Sequence, residues 1–356
     1  MSIALAIISI GVLIILHELG HFFLAKKFGV KVEEFGIGMP PRVLGKKWGE
    51  TLYSLNALPI GGFVRMEGEE KRSDTPSSFS VKPLWQRFFI VAGGVLVFWI
   101  IAAFIFAVLG TTVGIPMAVD DEKVEGITNP QVQIIGIAAD SPAEAAGIKL
   151  GDKILEMNQQ TVSTVKEVQD FTLMHKGEEI LLTLQRGEEV INAKLAARSD
   201  PPSGQGAMGV ALARTALIKY PWYEGPFRGV ELTGRMTFTI VRTLGGLVAD
   251  LVAGKGLPPG VQLSGPVGVV NLLGNSASLG IPSFFSFVAI LSIYLAIFNT
   301  LPIPALDGGR MFFILLEGLR RKPLSEKLEQ RLIMISFAVL IPLILWVTVN
   351  DITRIF

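Results

Sequence analysis

His17 and His21 stand four residues apart with Glu18 between them, in His17-Glu18-Leu19-Gly20-His21. On a helix, four residues rise about 6 Å and turn through roughly 400°, so both imidazoles lie on one face. A zinc ion takes its ligands at about 2 Å in tetrahedral directions, and such a face supplies two of them. Glu18 projects beside that position, where a carboxylate can accept a proton from water and pass it to a leaving amine. The motif alone also arises by chance. Its setting sharpens it, because the residues sit inside an apolar run from Ser2 to Ala25, where two His and a Glu are costly without compensating partners. The plainer reading of the same residues is helix–helix hydrogen bonding to a polar neighbour.

A catalytic zinc site needs a third protein ligand and one open position. The chain has no cysteine, which excludes a thiol nucleophile, a thiolate ligand and disulfides. The third histidine, His175, falls in a soluble-looking segment and is expected on its surface. A carboxylate at membrane depth is the expected ligand, and Asp307 is the conspicuous candidate, in Asn299-Thr300-Leu301-Pro302-Ile303-Pro304-Ala305-Leu306-Asp307-Gly308-Gly309-Arg310. Two prolines and two glycines break the end of an apolar run there, as broken helices do where they line a cavity. The alternative for Asp307 is a helix N-cap followed by a glycine turn. Other divalent ions also accept two His and one carboxylate, so zinc is an inference from the donor set.

Four apolar segments must position these groups. Phe88 to Leu109 runs without a charge, as do Leu332 to Val349 (interrupted by Pro342) and Phe284 to Leu301; roughly 20 such residues span a bilayer. Ser2 to Leu16, continuing to Ala25, is the other one. Half of the residues are hydrophobic and 18% are charged, below the roughly one quarter charged in a soluble domain. No basic residue precedes the first run, so it is read as a membrane helix rather than a signal peptide. Eleven Lys or Arg lie between Lys26 and Arg87, and the 320–331 connection is basic too. Both loops are therefore expected in the cytoplasm, with roughly 117–280 outside it. A net charge of +1 gives no sign of a nucleic-acid partner.

Between the apolar runs, Thr51–Ala57 and Phe63–Met66 read as strands, with Pro59, Gly61 and Gly62 forming a hairpin or a bent sheet edge. Residues 69–80 read as a flexible polar linker. The string DSPAEAAGIKLGDKILEMNQQTV, starting at Asp140, closely resembles the core of a PDZ domain. Ser141 is expected to cap a short helix over 142–146, and Gly147 to end it. Glu179–Gln185 and Val190–Ala196 alternate as strands. Gly206-Ala207-Met208-Gly209-Val210 resembles a PDZ peptide-binding loop but follows the strands, so the domain is expected to be circularly permuted. Its peptide groove would use Gly206, Met208, Gly209 and Val210. Thr233–Leu251 reads as an amphipathic helix, lying on a membrane surface or packed beneath the PDZ domain. The expected domains are 1–116, with the first two membrane helices; 128–212, the PDZ domain; 213–280, an amphipathic connection; and 281–356, with the last two membrane helices.

A helix-borne HELGH near the start, a distal NTLPIPALDGGR and an intervening PDZ domain together resemble the site-2 protease family of intramembrane zinc metalloproteases, in its bacterial regulator-of-sigma-E branch. The resemblance covers nearly the whole chain. It implies that His17, His21 and Asp307 bind Zn2+, that Glu18 is the catalytic acid/base, and that Asn299 helps hold substrate. Asn299 on its own reads equally as an interhelical hydrogen bond. LPIGGFVRM (58–66) resembles the membrane-associated β-loop of that family, which makes Gly61, Gly62 and Phe63 substrate-binding candidates, and GPVG (265–268) resembles a motif preceding its third helix. The best-known members carry tandem PDZ domains, whereas this chain has room for one.

The expected fold is thus a polytopic α-helical membrane protein with four transmembrane helices, a small β-loop and one extracytoplasmic β-rich PDZ domain. The expected setting is a bacterial inner membrane with the active site near the cytoplasmic side. Expected substrates are single-span membrane proteins such as anti-sigma factors, or signal-peptide remnants, with a C-terminal peptide at the PDZ groove. A solute transporter, a catalytically silent PDZ scaffold and a simply anchored, water-accessible zincin are the competing readings.

Overall fold

The computed structural model describes residues 2–69, 71–120, 127–187, 189–202, 204–256 and 264–355. Helix α1 (Ser2–Lys27) leads into two long strands, β1 (Val32–Trp48) and β2 (Thr51–Met66), and then α2 (Leu84–Thr111). A β domain follows: β3 (Ile115–Ala118), β4 (Ile127–Ile137), α3 (Pro142–Ala145), β5 (Lys153–Met157), β6 (Gln160–Thr161), α4 (Val165–Met174), β7 (Glu179–Arg186), β8 (Glu189–Ala196) and β9 (Val210–Ile218). The chain then closes with α5 (Gly225–Val252), α6 (Pro266–Ser278), α7 (Ile281–Thr300), α8 (Asp307–Arg320) and α9 (Glu326–Ile355).

Four of these helices are long and apolar enough to cross a membrane: Ile3–Lys27, Leu84–Thr111, Ile281–Thr300 and Glu326–Thr353. They are the four apolar runs read from the sequence. Helix α7 stops at Thr300 because Pro302 and Pro304 follow; a proline lacks the amide a helix needs and pushes its predecessor into extended backbone. Leu301 is accordingly extended. The chain re-enters a helix at Asp307.

Strands β1 and β2 form a curved sheet in which each bends and pairs twice. Phe35 of β1 lies between Val64 and Tyr53 of β2, and Leu44 pairs with Leu55. The resulting order is 44–48, 51–55, 34–37, 62–66. Of the hairpin and the bent sheet edge expected for 51–66, the structure has the bent edge, with β1 inserted between the two halves of β2. Segment 62–66 becomes an edge paired, among the described residues, on one side only. Residues beyond it are not the flexible linker expected. The Thr75 and Ser77 hydroxyls each donate to Glu67 at 2.8 Å, holding its carboxyl below the usual carboxylate range. Ser80 donates to the Ser73 carbonyl at 2.8 Å, and Arg72 to the Leu324 carbonyl at 3.0 Å.

In the β domain the strand order is β3-β9-β4-β5-β7-β8, with β6 beside β5. Ser141 caps α3, accepting from the Glu144 amide at 3.2 Å, and Gly147 ends that turn at φ +70°. Ile115 pairs with Ile218, so the sheet reaches from 115 to 218 and draws in β3 and the end of β9, which the expected limits of 128 and 212 cut off.

Helix α5 also departs from both expectations. Its small residues Gly225 and Gly229 lie against Thr111, Ala107 and Ala103 of α2, and Trp99 Nε1 of α2 donates to Thr237 Oγ1 at 3.1 Å. It therefore runs antiparallel along a spanning helix instead of lying flat on a membrane face. Helix α9 is peripheral, with none of its most apolar stretch buried. One tie to the bundle is Asp351, 2% exposed, whose Oδ2 accepts from the Gly268 amide of α6 at 2.7 Å. Thus the GPVG segment that precedes α7 serves as a docking point for α9. A buried bond to a charged acceptor contributes about 1.5–3 kcal/mol, so Asp351→Ala is expected to destabilise the protein by about 2 kcal/mol. Thermal unfolding in detergent would read this, with an unchanged midpoint as the contrary result.

Candidate metal centre

Helix α1 is the scaffold for the HELGH residues, and one helical turn brings His17 and His21 side by side. Their Nε2 atoms are 3.3 Å apart. Asp307, at the first position of α8, reaches them from the other half of the chain. Its Oδ2 lies 3.2 Å from His17 Nε2 and 3.4 Å from His21 Nε2. Asp307 is thus neither an N-cap nor part of a turn; Leu306 holds the cap position. These three side chains form the group able to hold a metal among the described residues. Tetrahedral zinc with bonds of about 2.0–2.1 Å sets its ligands about 3.3–3.4 Å from one another. The donor separations match. Moreover Oδ2 is buried and makes no recorded hydrogen bond among the described residues, so with both Nε2 atoms unprotonated a cation is the natural complement to two imidazole lone pairs and a carboxylate. The residues fit zinc.

Surrounding atoms fix the rings. His21 Nδ1 donates to the Ile90 carbonyl of α2 at 3.0 Å, which leaves Nε2 unprotonated and aimed at the metal position. His17 stacks on Phe98 with ring centres 4.7 Å apart. Both contacts require α2 to approach α1 closely, and glycines allow it. A Cβ on Gly20 would strike the Gly93 carbonyl, and a Cβ on Gly94 would collide with His21 Nε2. Sequence reasoning missed Gly93, Gly94 and Phe98; the signal available was a Gly-Gly pair in the middle of a spanning run. Gly94→Ala is expected to push His21 aside and weaken zinc binding by at least about tenfold, the lower range for lost ligand support. Competition with a chromophoric chelator measures this, and an unchanged affinity would count against the packing argument.

Glu18 is half-buried at the cleft wall. With it the cleft is lined by His21, Asp307, Phe63, Val64, Met66, Val91, Glu69 and Arg310, in about 210 Å³. Phe63 therefore lines the cleft. Gly62 lies behind Glu18, where an added Cβ would sit 3.5 Å from Glu18 Cγ. Gly61 turns away towards Met39. Asn299 is half-buried and donates to the Leu295 carbonyl of its own helix at 2.9 Å, outside the residues that line the cleft. His175 is remote from the metal site, stacked on Phe171 and donating to that residue's carbonyl at 2.9 Å.

In the β domain, Gly206, Met208, Gly209 and Val210 border one groove of about 360 Å³, closed on the other side by Val168, Gln169, Thr172 and Leu173 of α4. Strand β3 covers only 215–218 of β9. The 210–213 stretch is thus paired on its β4 side and, among the described strands, open towards α4.

Comparison with known proteins shows the family. The sequence model of Peptidase family M50 matches residues 5–343. A relative from Clostridium acetobutylicum is 36% identical over 99% of this chain and 97% of its own length. Regulator of sigma-W protease RasP of Bacillus subtilis is 28% identical over 98% of this chain and 98% of its own. Among solved structures, the PDZ domain of an SdrC-like protein from Listeria monocytogenes aligns with 26% of this chain and 93% of its own, at 22% identity and a TM-score of 0.22.

Proposed function

This chain belongs to peptidase family M50, the site-2 proteases, and is a multi-pass membrane zinc metalloprotease; from that premise we propose that it hydrolyses peptide bonds within or beside the spans of single-span membrane proteins. The observation that carries the proposal is the donor triangle of 3.2–3.4 Å formed by His17 and His21 of α1, a helix apolar and long enough to span a membrane, and Asp307 at the start of α8, beside Glu18. The transporter and scaffold readings fall away with family membership.

In this reading His17 Nε2, His21 Nε2 and Asp307 Oδ2 hold the metal. A zinc ion held there would supply Lewis acidity towards a carbonyl oxygen and a bound water. Glu18 takes the proton from the attacking water and delivers it to the nitrogen of the leaving amine. Segment 62–66 offers next to Glu18 an edge that no other described strand pairs, and a substrate unwound from its helix can pair with it by strand addition. Gly62 and Phe63 shape that edge. Gly61 supports the bend, and Asn299 would exchange its Leu295 bond for one to the substrate backbone.

We read the metal site as lying near the cytoplasmic face and the β domain as outside, in a bacterial inner membrane, a reading supported by the basic loops at 26–87 and 320–331. We read that domain as a circularly permuted PDZ fold, since a groove beside a helix and the open edge of β9 suits an extended C-terminal peptide. Anti-sigma factors are the substrate class suggested by the likeness to the sigma-W protease, with signal-peptide remnants a second. The test is to purify the protein in detergent, measure its zinc and map cleavage of a single-span test protein by mass spectrometry. About one zinc per chain and a cut within the span are expected. Zinc-loaded protein that cuts only water-exposed loops, or nothing, would overturn the reading.

A further inference from the structure

Peptide hydrolysis adds the oxygen of water to the acyl carbon, gives the electron pair of the broken C–N bond and a proton to the amine nitrogen, and leaves a carboxylate. In a cleft shielded from water, that new charge is costly unless a cation meets it. Arg310 is the cation among the described residues that line this cleft. It follows Asp307 by three residues on α8, so both side chains leave the same face of the helix.

Its recorded hydrogen bonding uses only part of its donor set. A guanidinium has five N–H donors, and Arg310 donates through Nη1 to Oε1 of Glu69. The neighbouring arginines are committed elsewhere. Arg87 donates to both carboxylate oxygens of Glu317 at 3.0 and 3.1 Å, and Arg72 to the Leu324 carbonyl. Glu69 and Arg310 also border a second, charged cavity of about 330 Å³ between α8, α9 and the loop before α2. The pair is the wall common to the two spaces. Glu69 can therefore be hydrated from the second cavity when Arg310 turns away from it.

We propose that Arg310 binds the carboxylate that cleavage creates on the acyl product, exchanging Glu69 for it at the wall between the cleft and the charged cavity. The inference rests on the protease reading above and identifies a product-binding residue within that site.

Full-chain, zinc-loaded Glu18→Gln protein, which holds ligands without turning them over, would be titrated with a short acetylated Leu/Ala peptide. The peptide ends in either a free carboxylate or a carboxamide. The acid is expected to bind about tenfold more tightly than the amide, as a charge-assisted pair would give. Adding Arg310→Gln is expected to remove most of that preference at unchanged zinc content, and Arg310→Lys to restore part of it. Adding Glu69→Gln, which frees Arg310, is expected to tighten acid binding about threefold or more and leave amide binding unchanged. A full acid preference in the Arg310→Gln protein overturns the proposal. Should that variant fail to fold or to hold zinc, Glu69→Gln decides, and unaltered acid binding there overturns it. The protease reading fails separately: wild type that holds zinc but cuts no spanning segment overturns it, and with it the product role of Arg310, whatever the peptide titration gives.

Discussion

Glu18→Gln is expected to slow cleavage of a spanning segment by about 10²- to 10⁴-fold, the range for loss of a general acid/base, with about one zinc per chain retained. The two effects separate because Glu18 is not among the three converging donors. Glutamine keeps the length of the side chain and fits the space bounded by Gly62. Its amide oxygen can still face the Val64 N–H, which interacts with Glu18 in the wild type. What it lacks is the ability to take a proton from water and return it to an amine. Single-turnover cleavage with parallel elemental analysis reads both quantities. A rate within a few fold of wild type would remove Glu18 from the chemistry, and loss of zinc would make it a ligand.

Asp307→Ala is expected to empty the metal site. Two imidazoles on one helix remain, but the carboxylate that closes the triangle at 3.2 and 3.4 Å is gone. Losing an outer partner of a ligand costs about 10–100-fold in affinity, and losing the ligand itself should cost more. Cleavage falls with the metal and does not return at moderate added zinc. His175→Ala is the matched control, since its bonds are local to α4, and zinc content should not change. Stoichiometric zinc in the Asp307→Ala protein would mean that a different carboxylate completes the site.

The metal site was legible in the sequence to an unusual degree, for reasons particular to it. HELGH needs only the period of a helix to bring two rings together, and α1 is uninterrupted from Ser2 to Lys27. Asp307 stands out because the chain lacks cysteine, has a single other histidine, and carries this carboxylate in the proline- and glycine-broken end of an apolar run. What supports the site was less legible because it depends on tertiary approach. Nothing local says that Gly94 of α2 makes room for His21, or that Ile90 lends it a carbonyl. Strand β1 was missed for a related reason. Gly36, Gly38, Pro40 and Pro41 interrupt its alternation, and its order comes from pairing with both halves of β2. For α5 the amphipathic pattern was visible, yet its partner α2 was not.

The edge at 62–66 bears on how such an enzyme would choose among targets. A strand edge recognises amide and carbonyl groups, which every residue carries, and it can do so only after those groups have left the helix they came from. Under the proposed reading, side-chain identity then matters less than the ease with which a target gives up its own turns. Glycine costs about 1 kcal/mol in a helix interior relative to alanine, and each such residue near the scissile bond lowers the work of opening it. Two targets with unrelated sequences but equal local lability would be cut at similar rates, so the code being read is mechanical rather than alphabetic.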